Sequence, residues 1–396
     1  MTAAASDNAS TTLTGYFAEA PSTTAPLTFY FHTNKSTSYS DQDGTLETIA
    51  STYDSCEPAT VDAGDFEVDE KNHTISVPAG ISFGANKQAI VRFRLQYSNG
   101  EELSASTLLV KLGGKDIIVK PTDDEGLSEL YVAVPQVSNA EVKLYAIDDD
   151  GLLDHYTKTG VTFTAGEFYT ITVNMEGGEI KNFSGEQDQH DTLHDGDILV
   201  GSINGNNEIL IADGATVMLL DAHITSTLSA GITCLGDATI VVANEDEDIN
   251  EITSERSGYP GIQVAAGYTL TILGPGTLKA TGADGFGAGE GQTAGNIIIA
   301  GGTVTAKGGQ EAAGIGCGLN SHCGNITISN SASVTATKGG SAPYSVGIGY
   351  NDVVGKPTCG TITIGDTKYY DSTTQTWTSE ELENALKAET FTWPAN

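Results

Sequence analysis

Several clusters in this chain have residue types and spacings that could do chemistry. The densest is Glu245-Asp246-Glu247-Asp248, with Glu251 close behind. Such an oxygen-rich run could hold calcium, which needs several oxygen ligands. It lacks the glycine spacing of a dedicated calcium loop and reads as a solvated corner, with Asp246 and Asp248 as the calcium candidates. His190 and His194 stand four apart. On a helix they would face one transition metal, but the following Asp195-Gly196-Asp197 has the composition of a turn, so no metal or other cofactor is expected. Tyr259, Phe286, Tyr344 and Tyr350 fall at or near corners. With neighbouring carboxylates and amides they could form a platform for sugar rings; the bland alternative is that they plug corners or cover ends. Cys323 and Cys359 each precede a glycine and then an I-x-I strand. They would occupy one spot on adjacent repeat units, about 4.8 Å apart, which suits a disulfide. Cys317 is the competing partner, while Cys56 and Cys234 read as small buried residues.

Catalysis is not expected. A glycoside hydrolase needs two carboxylates flanking the bond to be cut. A lyase acting on uronates needs a base and a cation to neutralise the substrate. Neither set stands out, and Arg256 is the only arginine after Arg94. The acidic turns Asp41-Gln42-Asp43-Gly44, Asp123 to Gly126 and Asp148 to Gly151 have hairpin-loop composition.

The elements that would position these residues come from a loose repeat in the C-terminal half. Gly231-Ile232-Thr233, Gly261-Ile262-Gln263, Gly287-Ala288-Gly289, Gly314-Ile315-Gly316 and Gly347-Ile348-Gly349 line up, their leading glycines 30, 26, 27 and 33 residues apart. A period of this size means stacked supersecondary units. One unit reads Asn296-Ile297-Ile298-Ile299, a Gly-rich corner, then Thr303-Val304-Thr305-Ala306. Alternation of period two marks strands, and Gly, Asn and Ser clusters mark corners. The reading is a three-sided, right-handed parallel β-helix over residues 198–376, the handedness taken from the chirality of parallel crossovers. Leu278, Val304 and Val334 should form one internal column, and Ala280, Ala306 and Ala336 a second. Ile232, Ile262, Ala288, Ile315 and Ile348 should line the third side. Thr277, Thr303 and Ser333 should point outward. Val217, Leu219 and Ile224 are matched to Leu270, Ile272 and Leu278, and Ile240 to Thr253 reads as a corner insertion.

Residues 377–396 look like a cover for the open end, which would otherwise expose strand edges. Thr378 to Glu381 fits a T-x-x-E capping box, with Trp377 and Leu382 as its hydrophobic staple. A helix is expected over Ser379 to Ala388, with Leu382 and Leu386 sharing a face. Residues 1–176 show a different pattern. Val91 to Tyr97 and Val142 to Ile147 alternate cleanly, and Leu27–Phe31, Thr74–Val77, Leu108–Leu112, Asp116–Lys120, Leu130–Val134 and Phe168–Val173 complete a set of strands separated by turn signals such as Gly113-Gly114. This reads as an antiparallel β-sandwich, with 1–70 the least regular part. Residues 177–197 are expected to be a linker.

The chain has 396 residues and a formal net charge of −34, from 18 basic and 52 acidic residues. That balance disfavours nucleic acid and anionic membranes as partners. No segment reaches the roughly 18 apolar residues of a membrane span. The start is polar and has no apolar signal core, so a mature form without its signal or anchor segment is expected.

Leu130-Tyr131-Val132-Ala133-Val134-Pro135, followed by Phe163 to Val173, resembles the end of a fimbrillin-type domain, a transthyretin-like β-sandwich of Bacteroidetes pilus and surface proteins. The resemblance covers about Ile75 to Met175. The C-terminal half is similar to Gly-rich repeat modules often labelled carbohydrate-binding. Together these imply an exported, outer-membrane-associated surface adhesin or fimbrial accessory or tip protein, contacting a host protein or glycan, with other fimbrial subunits as further partners by strand donation. The alternatives are a glycan-binding accessory protein and, less favoured, a β-helix polysaccharide lyase or hydrolase. The chain departs from the family pattern in having its first cysteine at Cys56 and no arginine before Arg92, which argues against a shaft subunit.

Overall fold

The structure is a computed structural model. It describes residues 2–3, 13–14, 25–29, 39, 42–46, 48–49, 59–69, 71, 74–77, 88–122, 126–184, 189–244, 249–350 and 358–394. Among these the fold is nearly all β. Apart from a helical turn near Ile49, its helix is Glu380–Lys387. The chain divides into two units, one of Met1–Asp149 with Tyr156–Met175, the other of Asp150–His155 with Glu176–Asn396.

In the first unit, alternation does what it predicts. Along Gln88–Tyr97, Val91, Phe93 and Leu95 are buried while Arg92 and Arg94 turn outward. The strand order of this seven-stranded sheet is Glu129–Pro135, Gln88–Tyr97, Phe168–Gly177, Leu153–Phe163, Val137–Asp148, Ala105–Leu112, Lys115–Val119. Two features differ from expectation. Leu153–Phe163 is an unexpected strand whose middle is exposed and polar, so no apolar face marks it in the sequence. Phe168–Gly177 runs parallel to Gln88–Tyr97, with Phe168 opposite Ile90 and Met175 opposite Tyr97, so the pairing is not purely antiparallel. Gly113 and Gly114, at φ 59° and 70°, form the two-residue turn between Leu112 and Lys115. Two positive φ values give the turn whose twist matches the strands it joins. The earlier chain contributes at 42–44. The Gln42 side chain receives the Ala133 N–H (2.8 Å) and donates to the Ala133 carbonyl (3.2 Å), and Gly44 accepts from Tyr131.

The second unit consists of three parallel ladders. In the first, Ile240, Ile272, Ile299, Ile328 and Ile364 are successive partners. In the second, Leu278, Val304 and Val334 align, as do Ala280, Ala306 and Ala336, as expected; Thr303 and Ser333 face out. The third aligns Ile232, Ile262, Phe286, Ile315 and Val346. The anticipated column was therefore misplaced in two rungs. Phe286 and Val346 stand where Ala288 and Ile348 were placed, a slip of two that preserves the inward face because side chains alternate. Two further corrections follow from strand pairing. Residues 177–197 are not a linker: Ile180–Asn182 and His190–Leu193 pair with Ile198–Val200 and Glu208–Ile211 and begin the stack. Residues 240–253 are not an insertion either. Ala238–Ala243 and Asn250–Ser254 form a full rung, placing Val217 beside Ile240 and Ile224 beside Ile252.

Corners are held by side-chain amides. Asn250 is fully buried; its Oδ1 accepts from Ala222 and its Nδ2 donates to Ala243 and Thr277 carbonyls. Glycines follow the core residue of the third ladder at Gly287, Gly316 and Gly347, all at positive φ. A Cβ on Gly316 would collide with the Gly347 carbonyl, so the rungs approach here through bare backbone.

At the C-terminal end all three ladders are closed. Thr367–Asp371 folds back antiparallel on Ile362–Ile364, and Thr390–Trp393 pairs antiparallel with Ser333–Thr337. On the third ladder, Gly314 donates to Ser345 and Ser345 donates to the Leu386 carbonyl at the end of the helix (2.7 Å). The helix is shorter than expected, and its N-cap is Ser379, accepting from Leu382 N–H. Thr378 instead donates its hydroxyl to the Lys368 carbonyl, which removes it from the capping role. Leu386 is fully buried.

Candidate functional site

The C-terminal reversal creates an aromatic cleft. Because Tyr370 and Trp377 are directly opposite in the short antiparallel pair, their rings meet at 5.0 Å. Tyr344, from the last corner, also packs on Trp377, at 5.1 Å. All three are half-buried. Tyr344 donates to Glu383 Oε1 (2.9 Å), and Glu383 pairs with Lys387 (2.8 Å). Burial, reinforced by the Glu383 carboxylate, holds the Tyr344 phenol well above its usual range, so it stays a donor. The cleft has a volume of about 320 Å³; Ile348, Ile362, Cys359, Thr358 and Gln375 complete its walls. Among the described residues, none of its lining side chains is an acid, lysine or arginine.

A second cleft, of about 300 Å³, lies along stacked corners of the same unit. Ser254–Gly258 supplies Glu255 and Arg256, and later rungs supply Glu290, Gln310 and Glu311. Its floor is largely glycine and alanine.

Beside it sits a group that sequence reasoning missed. Asp284 is fully buried and neither carboxylate oxygen has a hydrogen-bond partner of good geometry, although the Ala288 backbone approaches. Burial pushes its carboxyl well above the ordinary carboxylate range. A Cβ on Gly287 would meet both Asp284 Oδ2 and the Gly316 carbonyl. Two acceptors thus face one small space, an arrangement suited to a protonated acid.

The four aromatic candidates do not converge. Phe286 is a core residue with no exposure, because it occupies the inward position of the third ladder. Tyr259 is half-buried beside Arg256, and Tyr350 is exposed (39 %); neither lines the aromatic cleft. Tyr344 does, with Trp377 and Tyr370. Trp377 carried a sequence signal only as a staple residue, and Tyr370 carried none.

The expected Cys323–Cys359 disulfide is replaced by Cys317–Cys323, with Cα atoms 5.4 Å apart, and Cys359 is a buried free thiol. Cys323 and Cys359 are rung neighbours as expected, since Cys323 donates to Thr358 O and Gly360 donates to Cys323 O. The corner after Cys317 simply brings that sulfur to Cys323 first. His190 and His194 are not on a helix: His190 opens an extended strand beside Glu208 (3.6 Å), and an extended chain carries residues four apart roughly 13 Å away from each other. The calcium candidates Asp246 and Asp248 lie outside the described residues. Compared with known protein families, with curated proteins and with solved structures, the chain matches none.

Proposed function

We propose that the protein is a non-enzymatic surface adhesin in which a fimbrillin-type, transthyretin-like β-sandwich carries a short right-handed parallel β-helix, and that the capped end of the β-helix binds carbohydrate. The observation that carries this reading is the Tyr344–Trp377–Tyr370 cleft. Half-buried aromatic faces beside a polar Gln375 and Thr358 suit a pyranose ring, whose C–H face stacks while its hydroxyls bond at the rim. The strong net negative charge favours uncharged glycans or proteins over polyanions. Docking among fimbrial subunits is supported by the edge strand Glu129–Pro135, whose outer side takes only short contacts from Gln42 and Gly44 among the described residues; a donated strand could extend it. A location at the outer-membrane surface rests on the fimbrillin resemblance. No helix among the described residues is long and apolar enough to cross a membrane.

The test is titration of neutral oligosaccharides against the whole protein, followed by intrinsic tryptophan fluorescence and calorimetry. Saturable binding lost in Trp377→Ala and Tyr370→Ala, with no new reducing ends, supports the reading. Binding that survives both substitutions sinks it. A polysaccharide lyase or hydrolase is the second reading, favoured by Glu255, Arg256, Glu290 and Glu311 around one cleft. Release of reducing ends or unsaturated uronates, abolished in Glu290→Gln, would establish it.

A further inference from the structure

Three sulfurs gather around Gly347. Cys317 Sγ lies 3.6 Å and Cys323 Sγ 2.9 Å from the Gly347 carbonyl oxygen, while a Cβ built on Gly347 would be 3.9 Å from Cys359 Sγ. Cys317 and Cys323 are joined. Cys359 occupies the equivalent position on the next rung, because the N–H of Cys323 bonds to Thr358 O (2.9 Å) and Cys323 O receives Gly360 N–H (3.0 Å). Such in-register parallel neighbours have Cα atoms about 4.8 Å apart, inside the range that a disulfide spans. Cys323 therefore has two partners of suitable reach, one within its own corner and one on the adjacent rung.

We propose that these residues form an internal thiol–disulfide exchange site, in which Cys323 passes from Cys317 to Cys359. The deprotonated Cys359 attacks Cys323 Sγ. A Cys323–Cys359 bond forms as the Cys317–Cys323 bond breaks, and Cys317 leaves as a thiolate that takes up a proton. One disulfide and one thiol stand on each side of the reaction, so no oxidant or reductant is consumed. All three residues are at most 6 % exposed, so an outside thiol is poorly placed to intercept the exchange. Its product differs in reach: the first bridge closes a corner of sequence separation 6, whereas the second ties neighbouring rungs together. A bridge that closes a longer loop restricts the unfolded chain more. The exchange also changes a wall of the aromatic cleft, which Cys359 lines.

The sequence makes the two forms distinguishable. Trypsin leaves Cys317 and Cys323 together on the peptide 308–338 and Cys359 on 339–368, since Lys356 precedes proline. The native chain would be held at pH 8.5 without added thiol, acid-quenched, alkylated, digested and mapped by mass spectrometry. Cleavage after Leu319 then assigns the partner. The expected result is a cross-linked 308–338/339–368 species, joined through Cys323, alongside the internally bridged 308–338 peptide. The same cross-link should form when Cys317→Ser is refolded from denaturant with oxidised glutathione. Buried Cys234 reports on the fold: it should stay unalkylated until denaturant is added. The proposal is overturned if only the internally bridged peptide is recovered, or if the cross-link appears only once Cys234 has become reactive. It is equally overturned if refolded Cys317→Ser keeps Cys323 and Cys359 as separate thiols or glutathione adducts.

Discussion

Replacing Asp284 with asparagine tests the buried-acid reading most directly. The native carboxyl is raised in pKa by burial, whereas in the unfolded chain it returns to about 3.9. Between those values the folded state holds a proton that the unfolded state has lost. Stability therefore falls as pH rises through that window, and the loss is complete only above the folded pKa. Asparagine keeps the shape, and its amide N–H can donate toward the Gly316 carbonyl that shares the site without any titration. The variant should match the wild type near pH 4 and gain on it as pH rises. An unsatisfied buried polar group costs about 1–3 kcal/mol, which for a unit of this size is a gap of roughly 2–12 °C in Tm. Thermal unfolding followed by far-UV circular dichroism, for both proteins from pH 4 to 8 at constant ionic strength, gives the difference directly. Taking the difference cancels the general repulsion among the chain's many other carboxylates. A difference that is flat with pH, or an asparagine variant less stable than wild type at pH 7, would refute the argument, because either would mean that Asp284 is satisfied as a carboxylate.

Other expectations follow from the ladders and their closure. Phe286→Ala should destabilise the second unit by about 3–5 kcal/mol in urea unfolding; a surface position would lose under about 0.5 kcal/mol. Gly316→Ala should cost at least about 1–3 kcal/mol from its left-handed backbone alone, with a further loss from the collision with Gly347, and thermal melting would register it. Ser379→Ala should remove about 0.5–2 kcal/mol, whereas Thr378→Ala should not show the loss of an N-cap; the pair separates the two capping assignments. Truncation before Glu389 should bare the Ser333–Thr337 edge and produce concentration-dependent association in light scattering.

The parts of the fold that were legible in the sequence are those where one periodic signal acts alone. The I-x-I and V-x-A strands 296–306 and 325–336 read correctly because buried and outward positions alternate along each. The Ala238–Ala243 strand did not, since all six residues are buried and a continuous apolar run has no period to detect. The third ladder was misaligned at Phe286 because G-x-G occurs twice in Gly285-Phe286-Gly287-Ala288-Gly289, and local sequence does not say which copy stacks. The aromatic cleft was half visible. Tyr344 stands out at a corner, but Tyr370 and Trp377 become neighbours only through a chain reversal. The cysteine pairing failed for a similar reason: rung equivalence was right, yet a corner loop delivered a nearer sulfur.

The three-way closure at the C-terminus has a consequence for how such a chain can change in length. Each rung sees only the rung before and after it, so nothing in the stack counts how many there are. The number is set by where the reversing segment Thr367–Trp393 is attached. Duplicating one unit, such as 296–324, would present that segment with the same surface one step farther on. The repeat region can therefore grow or shrink by whole units while both of its ends stay unchanged.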